Sequence, residues 1–147
     1  MKVSLKALAL SAALLLPLTA LRADEPNAYT DGSVTVVTYV KILPGGFDSY
    51  MKFLATTRKA EMDEQIKAGM ILATHIYSAQ AHSPRDADLI LTVTYKNWAA
   101  FDGLSDKEDA IMKKLAGSLD NATAASVSRG KIREILGSET IQELVLK

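Results

Sequence analysis

Hydrophobic and polar positions follow one another along this chain in two periods, and each change of period marks an element. Residues 33–43 are rich in Val, Thr, Tyr and Ile, which predicts a strand, and Pro44-Gly45-Gly46 ends it. Residues 47–67 switch to a helical repeat. Phe47, Tyr50, Met51, Leu54, Met62 and Ile66 recur mostly at threes and fours and share one stripe, with Lys52, Lys59, Asp63 and Glu64 largely opposite. Two positions break the pattern, Arg58 inside the stripe and Phe53 outside it. Asp48 sits in the first turn, where a carboxylate suits the positive end of a helix, and Gly69 is placed to stop it. Residues 70–80 read as a second strand, and residues 81–87 as a polar loop. Residues 88–96 alternate cleanly, Leu89, Leu91, Val93 and Tyr95 against Ile90, Thr92, Thr94 and Lys96, and predict a third strand. A loop this short makes the last two strands an antiparallel hairpin. Asn97 to Phe101 opens a short helix that packs Trp98 with Phe101, and residues 106–119 predict a longer one. Residues 121–130 read as a loop or a frayed extension of that helix, and residues 132–136 are ambiguous. Residues 138–147, with Ile141, Leu144 and Leu146, predict the last strand.

Strand, helix, strand, strand, helix, strand is the order of an α+β, ferredoxin-like βαββαβ fold, a four-stranded antiparallel sheet with helices on one face. Right-handed crossovers place the first and third strands side by side in the centre. The two faces of those strands differ. Val34, Val36, Val40 and Ile42 with Leu89, Leu91 and Val93 form an apolar face that belongs under the helices. Thr35, Val37, Tyr39 and Lys41 with Ile90, Thr92 and Thr94 form a mixed face, too apolar for open water and too polar for a core. That face predicts a homodimer built sheet on sheet around a small, partly polar space. A monomer with a Thr-rich wet face is the alternative.

The amino terminus carries a different grammar. Lys2 and Lys6 precede an apolar run from Ala7 to Leu16, which Pro17 breaks, and Leu21-Arg22-Ala23 offers a small-residue processing site, with a cut after Ala20 as the alternative. The run is too short for a hydrocarbon core of roughly 30 Å. Residues 1–23 therefore predict a signal peptide, residues 24–32 a flexible leader ending in a turn, and residues 33–147 a single domain. The protein is expected to be exported, periplasmic in a bacterium and otherwise secreted, with no stable membrane association once the signal is removed. Taking Lys2, Lys6 and Arg22 from seventeen basic side chains leaves fourteen against seventeen acidic ones, a formal charge of −3. So mild and mixed a balance does not point to nucleic acid. The absence of cysteine excludes disulfides, thiol catalysis, thiolate metal ligands and a lipid anchor on an N-terminal cysteine.

Candidate chemistry follows from the faces. If Leu72 and Ile76 face the helices, His75 and Tyr77 join Tyr39, Lys41, Thr92 and Thr94 on the mixed face. An imidazole, two phenols, an ammonium and hydroxyls in one cavity can orient a polar aromatic ligand. Equally, His75 and Tyr77 can be interface residues bonded to one another or to backbone. Tyr95 and Trp98 can form an aromatic wall between sheet and helix, or plain core. Met51, Met62 and Met70 read as an adaptable pocket or as core filling. His82, Asp86 and Asp88 lack a third nitrogen ligand, so no metal site is assigned. No phosphate loop, cofactor motif or Ser/His/Asp set is present, and no catalytic residue is identified.

The Val-rich opening strand ending in Pro44-Gly45-Gly46-Phe47, and Leu91-Thr92-Val93-Thr94-Tyr95 running into Trp98-Ala99-Ala100-Phe101, resemble the dimeric α/β-barrel superfamily. This is the group of antibiotic-biosynthesis-monooxygenase-like, haem-degrading, EthD-like and NIPSNAP-like proteins. The resemblance implies a barrel dimer with a cavity, and leaves the reaction open, because members range from monooxygenases to proteins of no known activity. The Asn/Trp/His set of the haem-degrading branch does not map onto this chain, since His75 falls on a strand rather than a helix. The reading is a dimeric binder of a small apolar or aromatic molecule without a held cofactor. A cofactor-independent or haem-related monooxygenase using Tyr39, His75 or Trp98 is the alternative, and a structural or interaction module without ligand the second.

Overall fold

The computed structural model describes residues 27–147. The predicted signal segment lies outside the described residues, as does the start of the predicted leader. Strand β1 (Tyr29–Ile42) leads through the Pro44-Gly45-Gly46 turn into α1 (Phe47–Phe53), a π-helical turn (Leu54–Arg58) and α2 (Lys59–Lys67). The junction residues Phe53, Leu54, Arg58 and Lys59 all keep right-handed helical dihedrals, so these three pieces form one rod. Then come β2 (Ala73–Ser78), β3 (Leu89–Tyr95), a 3₁₀ turn (Trp98–Phe101), α3 (Leu104–Ala116), α4 (Leu119–Arg129) and β4 (Arg133–Leu146). The sheet is antiparallel throughout, in the order β2-β3-β1-β4, with β1 and β3 central.

Register sorts the side chains. β1 and β3 align Val34 with Tyr95, Val36 with Val93 and Val40 with Leu89. Directly opposed residues share a face. On that face the core forms two clusters. Val40, Tyr50, Leu54 and Leu89 make one, flanked by Ile42, Met51, Phe53 and Ile132. Met62, Ile71, Val93 and Tyr95 make the other, flanked by Val36, Met70, Phe101 and Leu104. Val36, Val40 and Ile42 with Leu89, Leu91 and Val93 thus pack in the helix-side clusters, as their alternation requires. The wide π-helical turn explains why Arg58 interrupts the apolar stripe. A turn of more than four residues brings Leu54, Arg58 and Met62 into line, so the guanidinium is carried inward with the apolar chains.

Several boundaries differ from the sequence expectation. β1 begins at Tyr29, so residues 29–32 of the predicted leader are strand, paired with the end of β4 across a bulge between Asp31 and Val34. β2 starts only at Ala73, because Met70 N–H donates to the Gln65 carbonyl (2.9 Å) and closes the helix, while Ile71 enters the core. Residues 121–129 belong to a separate helix, capped by Gly130. Gly117, at φ 80°, ends α3, and the Ser118 hydroxyl accepts from Asn121 N–H at 3.1 Å to start α4. The ambiguous residues 132–136 open β4, with an irregularity beside Leu136. β4 is an edge strand more than twice the length of β2, and Ile135, Ile141, Leu144 and Leu146 on it are exposed. No helix of the described residues is long and apolar enough to cross a membrane.

Candidate functional site

Six of the eight candidate residues share the sheet face opposite the helices. Thr35 aligns with Thr94, Val37 with Thr92 and Tyr39 with Ile90. On the outer hairpin, His75 aligns with Thr92 and Tyr77 with Ile90. On β4, Ile141 opposes Thr35 and Glu139 opposes Val37, and Lys41 opposes Glu134 beyond the bulge. Tyr39, Lys41, His75, Tyr77, Thr92 and Thr94 therefore lie on one surface. The helices pack through the other face.

Most of the polar groups on this surface are already engaged. The Thr35 and Thr94 hydroxyls bond each other at 3.0 Å. Lys41 Nζ lies 3.0 Å from Asp88 Oδ1, and the other oxygen of that carboxylate accepts from Ile42 N–H at 2.7 Å. The Ile42 N–H first, and then the Lys41 ammonium, hold the Asp88 carboxyl below its ordinary pKa. The Lys41 charge is thus compensated at the end of the strand. Tyr39 Oη donates to Glu139 Oε1 at 2.5 Å. That bond, with desolvation second, raises the Tyr39 phenol above its usual value. The rings of His75 and Tyr77 lie 5.9 Å apart, side by side toward the open edge. Beside Tyr39 and Glu139, the β2–β3 loop contributes Arg85 and Ala87 to an open depression of about 420 Å³. The surface mixes half-exposed apolar groups, Tyr77 and Ile141 (both 51 % exposed), with hydroxyls and this carboxylate–phenol pair.

Tyr95 and Trp98 do not join this group. Tyr95 follows the parity of Leu89, Leu91 and Val93, is 5 % exposed, and packs against Phe101 with centroids 4.6 Å apart. Trp98 remains half exposed, rests on Phe101, and donates from Nε1 to Gln142 Oε1 at 3.0 Å. It ties the 3₁₀ turn to β4. Met62 is core, and Met51 and Met70 pack against the two clusters. Met51 and Met62 also line a groove of about 450 Å³ between the helical rod and β2, where Ile66 and Ile76 are exposed. In the β2–β3 loop the Asp86 carboxylate accepts from His82 N–H, Ser83 N–H and the Ser83 hydroxyl, which shapes the turn and depresses its pKa.

Sequence reasoning passed over a group of charges on the helix side. Arg58, Arg129 and Arg133 gather around Tyr50 and Phe53, close enough to influence the Tyr50 phenol. Arg58, out of place in an apolar stripe, was the signal for it.

No family model matches the chain, and no curated protein matches it. Solved structures do resemble it. HapK from Hahella chejuensis has a TM-score of 0.49 at 12% identity over 75% of this chain and 91% of its own. A dimeric ferredoxin-like protein from an uncultured marine organism has a TM-score of 0.51 at 14% identity, over 80% of this chain and 98% of its own. Identity this low speaks to architecture. The chain has a ferredoxin-like α+β fold.

Proposed function

We propose that this protein is an exported homodimer that stacks the open sheet faces of two copies and binds a small apolar or aromatic molecule between them. The observation that supports the reading is the mixed surface itself. Val37, Ile90, Tyr77 and Ile141 interleave there with Thr92, Thr94, His75 and the Tyr39–Glu139 pair. Apolar area of this kind gains about 25 cal/mol per Å² when it leaves water. A second copy covers it symmetrically, and the hydroxyls and phenols keep part of the enclosed space polar. Tyr39, His75 and Tyr77 then line the ligand space, and Lys41 closes one end through Asp88.

Multi-angle light scattering tests this directly. The wild-type protein is expected at twice the chain mass. Thr92→Lys, which sets an ammonium between Val37 and His75, is expected to give a folded monomer. A wild-type monomer at micromolar concentration overturns the proposal. Solvent extraction of protein from native expression, followed by mass spectrometry, reads the ligand. N-terminal sequencing of the exported fraction is expected to begin close to Asp24.

A further inference from the structure

On the helix side of the sheet two arginines stack on aromatic rings. The Arg129 guanidinium carbon lies 4.2 Å from the centre of the Phe53 ring. Phe53 stacks on Tyr50, with centroids 5.7 Å apart and planes at 25°. The Arg133 guanidinium carbon is 5.9 Å from the centre of the Tyr50 ring. Two guanidinium groups thus bracket two aromatic rings. The Nε atoms of both are buried and have no hydrogen-bond partner. Among the described residues, neither arginine forms an ion pair, whereas Arg58 nearby is held by Glu61 at 3.5 Å. Donors buried without a partner are uncommon and costly, and charged ones most of all. Desolvation, and next the charge of Arg133, press the Arg129 pKa below its ordinary value.

A cavity opens beside Arg129. It lies between the helical rod and the α3–α4 hairpin, with a volume of about 260 Å³. Its walls are largely apolar, built from Phe53, Met112, Leu115 and Ala125; Glu61 also lines it, with its carboxylate engaged by Arg58. A dry cavity of roughly 150 Å³ accepts benzene. This one has room for a ring and a charged group together. A guanidinium fork matches a carboxylate in geometry, and its stacking on Phe53 fixes the plane. An inorganic anion would satisfy the charge and leave the apolar walls unfilled.

We propose that this cavity is a binding site for a small organic carboxylate, with Arg129 pairing the carboxylate, Arg133 supporting it electrostatically, and the apolar body lying against Phe53, Met112 and Leu115. The site is on the opposite side of the sheet from the dimer face and stands independently of it.

Sodium benzoate and its neutral analogue benzamide test the assignment, titrated into the purified protein with amide chemical shifts recorded. Benzoate is expected to give saturable shifts centred on Phe53, Met112, Leu115 and Arg129, and benzamide none at the same concentration. Arg129→Gln is expected to weaken benzoate binding about tenfold or more, since a charge-assisted contact is lost. Leu115→Trp, at a partly exposed wall position, is expected to abolish binding by filling the cavity while leaving the arginines in place. Should Arg129→Gln fail to fold, Leu115→Trp and the benzoate–benzamide comparison decide alone. No saturable shift at these residues, equal binding of benzamide, or benzoate binding unchanged in either folded variant overturns the proposal.

Discussion

Gly46→Ala isolates how tightly the first turn is keyed to β4. Gly46 is buried at φ −85°, ψ −14°, dihedrals that any L-residue adopts, so backbone strain is not at issue. The obstacle is space. A Cβ there would meet the Ile132 carbonyl oxygen at 2.2 Å, with the carbonyl carbon and Cα each at 3.0 Å. That carbonyl already accepts from Leu43 N–H at 3.0 Å. Gly46 cannot retreat freely either, since its N–H donates to the Leu43 carbonyl (2.8 Å) and its carbonyl accepts from Tyr50 N–H (2.9 Å). Overpacking costs about 1–3 kcal/mol. Loosening the Leu43–Ile132 bond adds about 0.5–1.5 kcal/mol. The stiffer unfolded chain returns about 0.4–1 kcal/mol. The net expectation is a loss of about 2 kcal/mol. Gly45→Ala is the control. Gly45 has φ 76° and nothing within 4 Å of its would-be Cβ, so alanine there meets only the left-handed backbone penalty of about 1–2 kcal/mol, offset by the same entropy gain. Urea unfolding separates the two, read as shifts in midpoint at constant slope. A Gly46→Ala protein within about 0.5 kcal/mol of wild type, or more stable than Gly45→Ala, refutes the steric argument.

Other expectations follow from single contacts. Leu54→Ala removes a side chain only 2 % exposed at the centre of the first cluster, and should cost about 2–5 kcal/mol in the same assay. Asp88 has its folded pKa depressed below the ordinary 3.8, so it contributes stability above that value and loses it as pH falls through the lower one. Wild type should therefore lose more stability than Asp88→Asn between about pH 4 and pH 2, and parallel acid profiles would contradict this. Glu139→Gln removes the carboxylate that raises the Tyr39 phenol above 10.0, and should let it ionise earlier in an ultraviolet titration, with Tyr39→Phe identifying the signal.

The chain announces its faces more clearly than its edges. Period-two alternation at Val34, Val36 and Val40, and at Leu89, Leu91 and Val93, determines which side meets the helices, because one residue of slip would bury threonines instead. The same parity carries Tyr95 into the core, so its removal from the candidate site was already written in the alternation of β3. His75 and Tyr77 needed the register of a short edge strand, which follows from pairing rather than composition. α4 has little apolar contrast over residues 121–128, and its start rests on the Ser118 cap. Arg129 and Arg133 belong to two elements of different period. No linear pattern joins them; the fold alone brings both to the Tyr50–Phe53 stack.

Among the described residues, the long β4 strand runs along the border of the sheet with a row of backbone groups that no neighbouring strand occupies. Such a border recruits other chains unless something discourages them. Glu134, Glu139 and Glu143, spaced along the strand, meet the β4 of a second copy with like charge. Glutamine at these three positions would remove the deterrent, and intermolecular strand addition along β4 would then be the first route to insoluble protein.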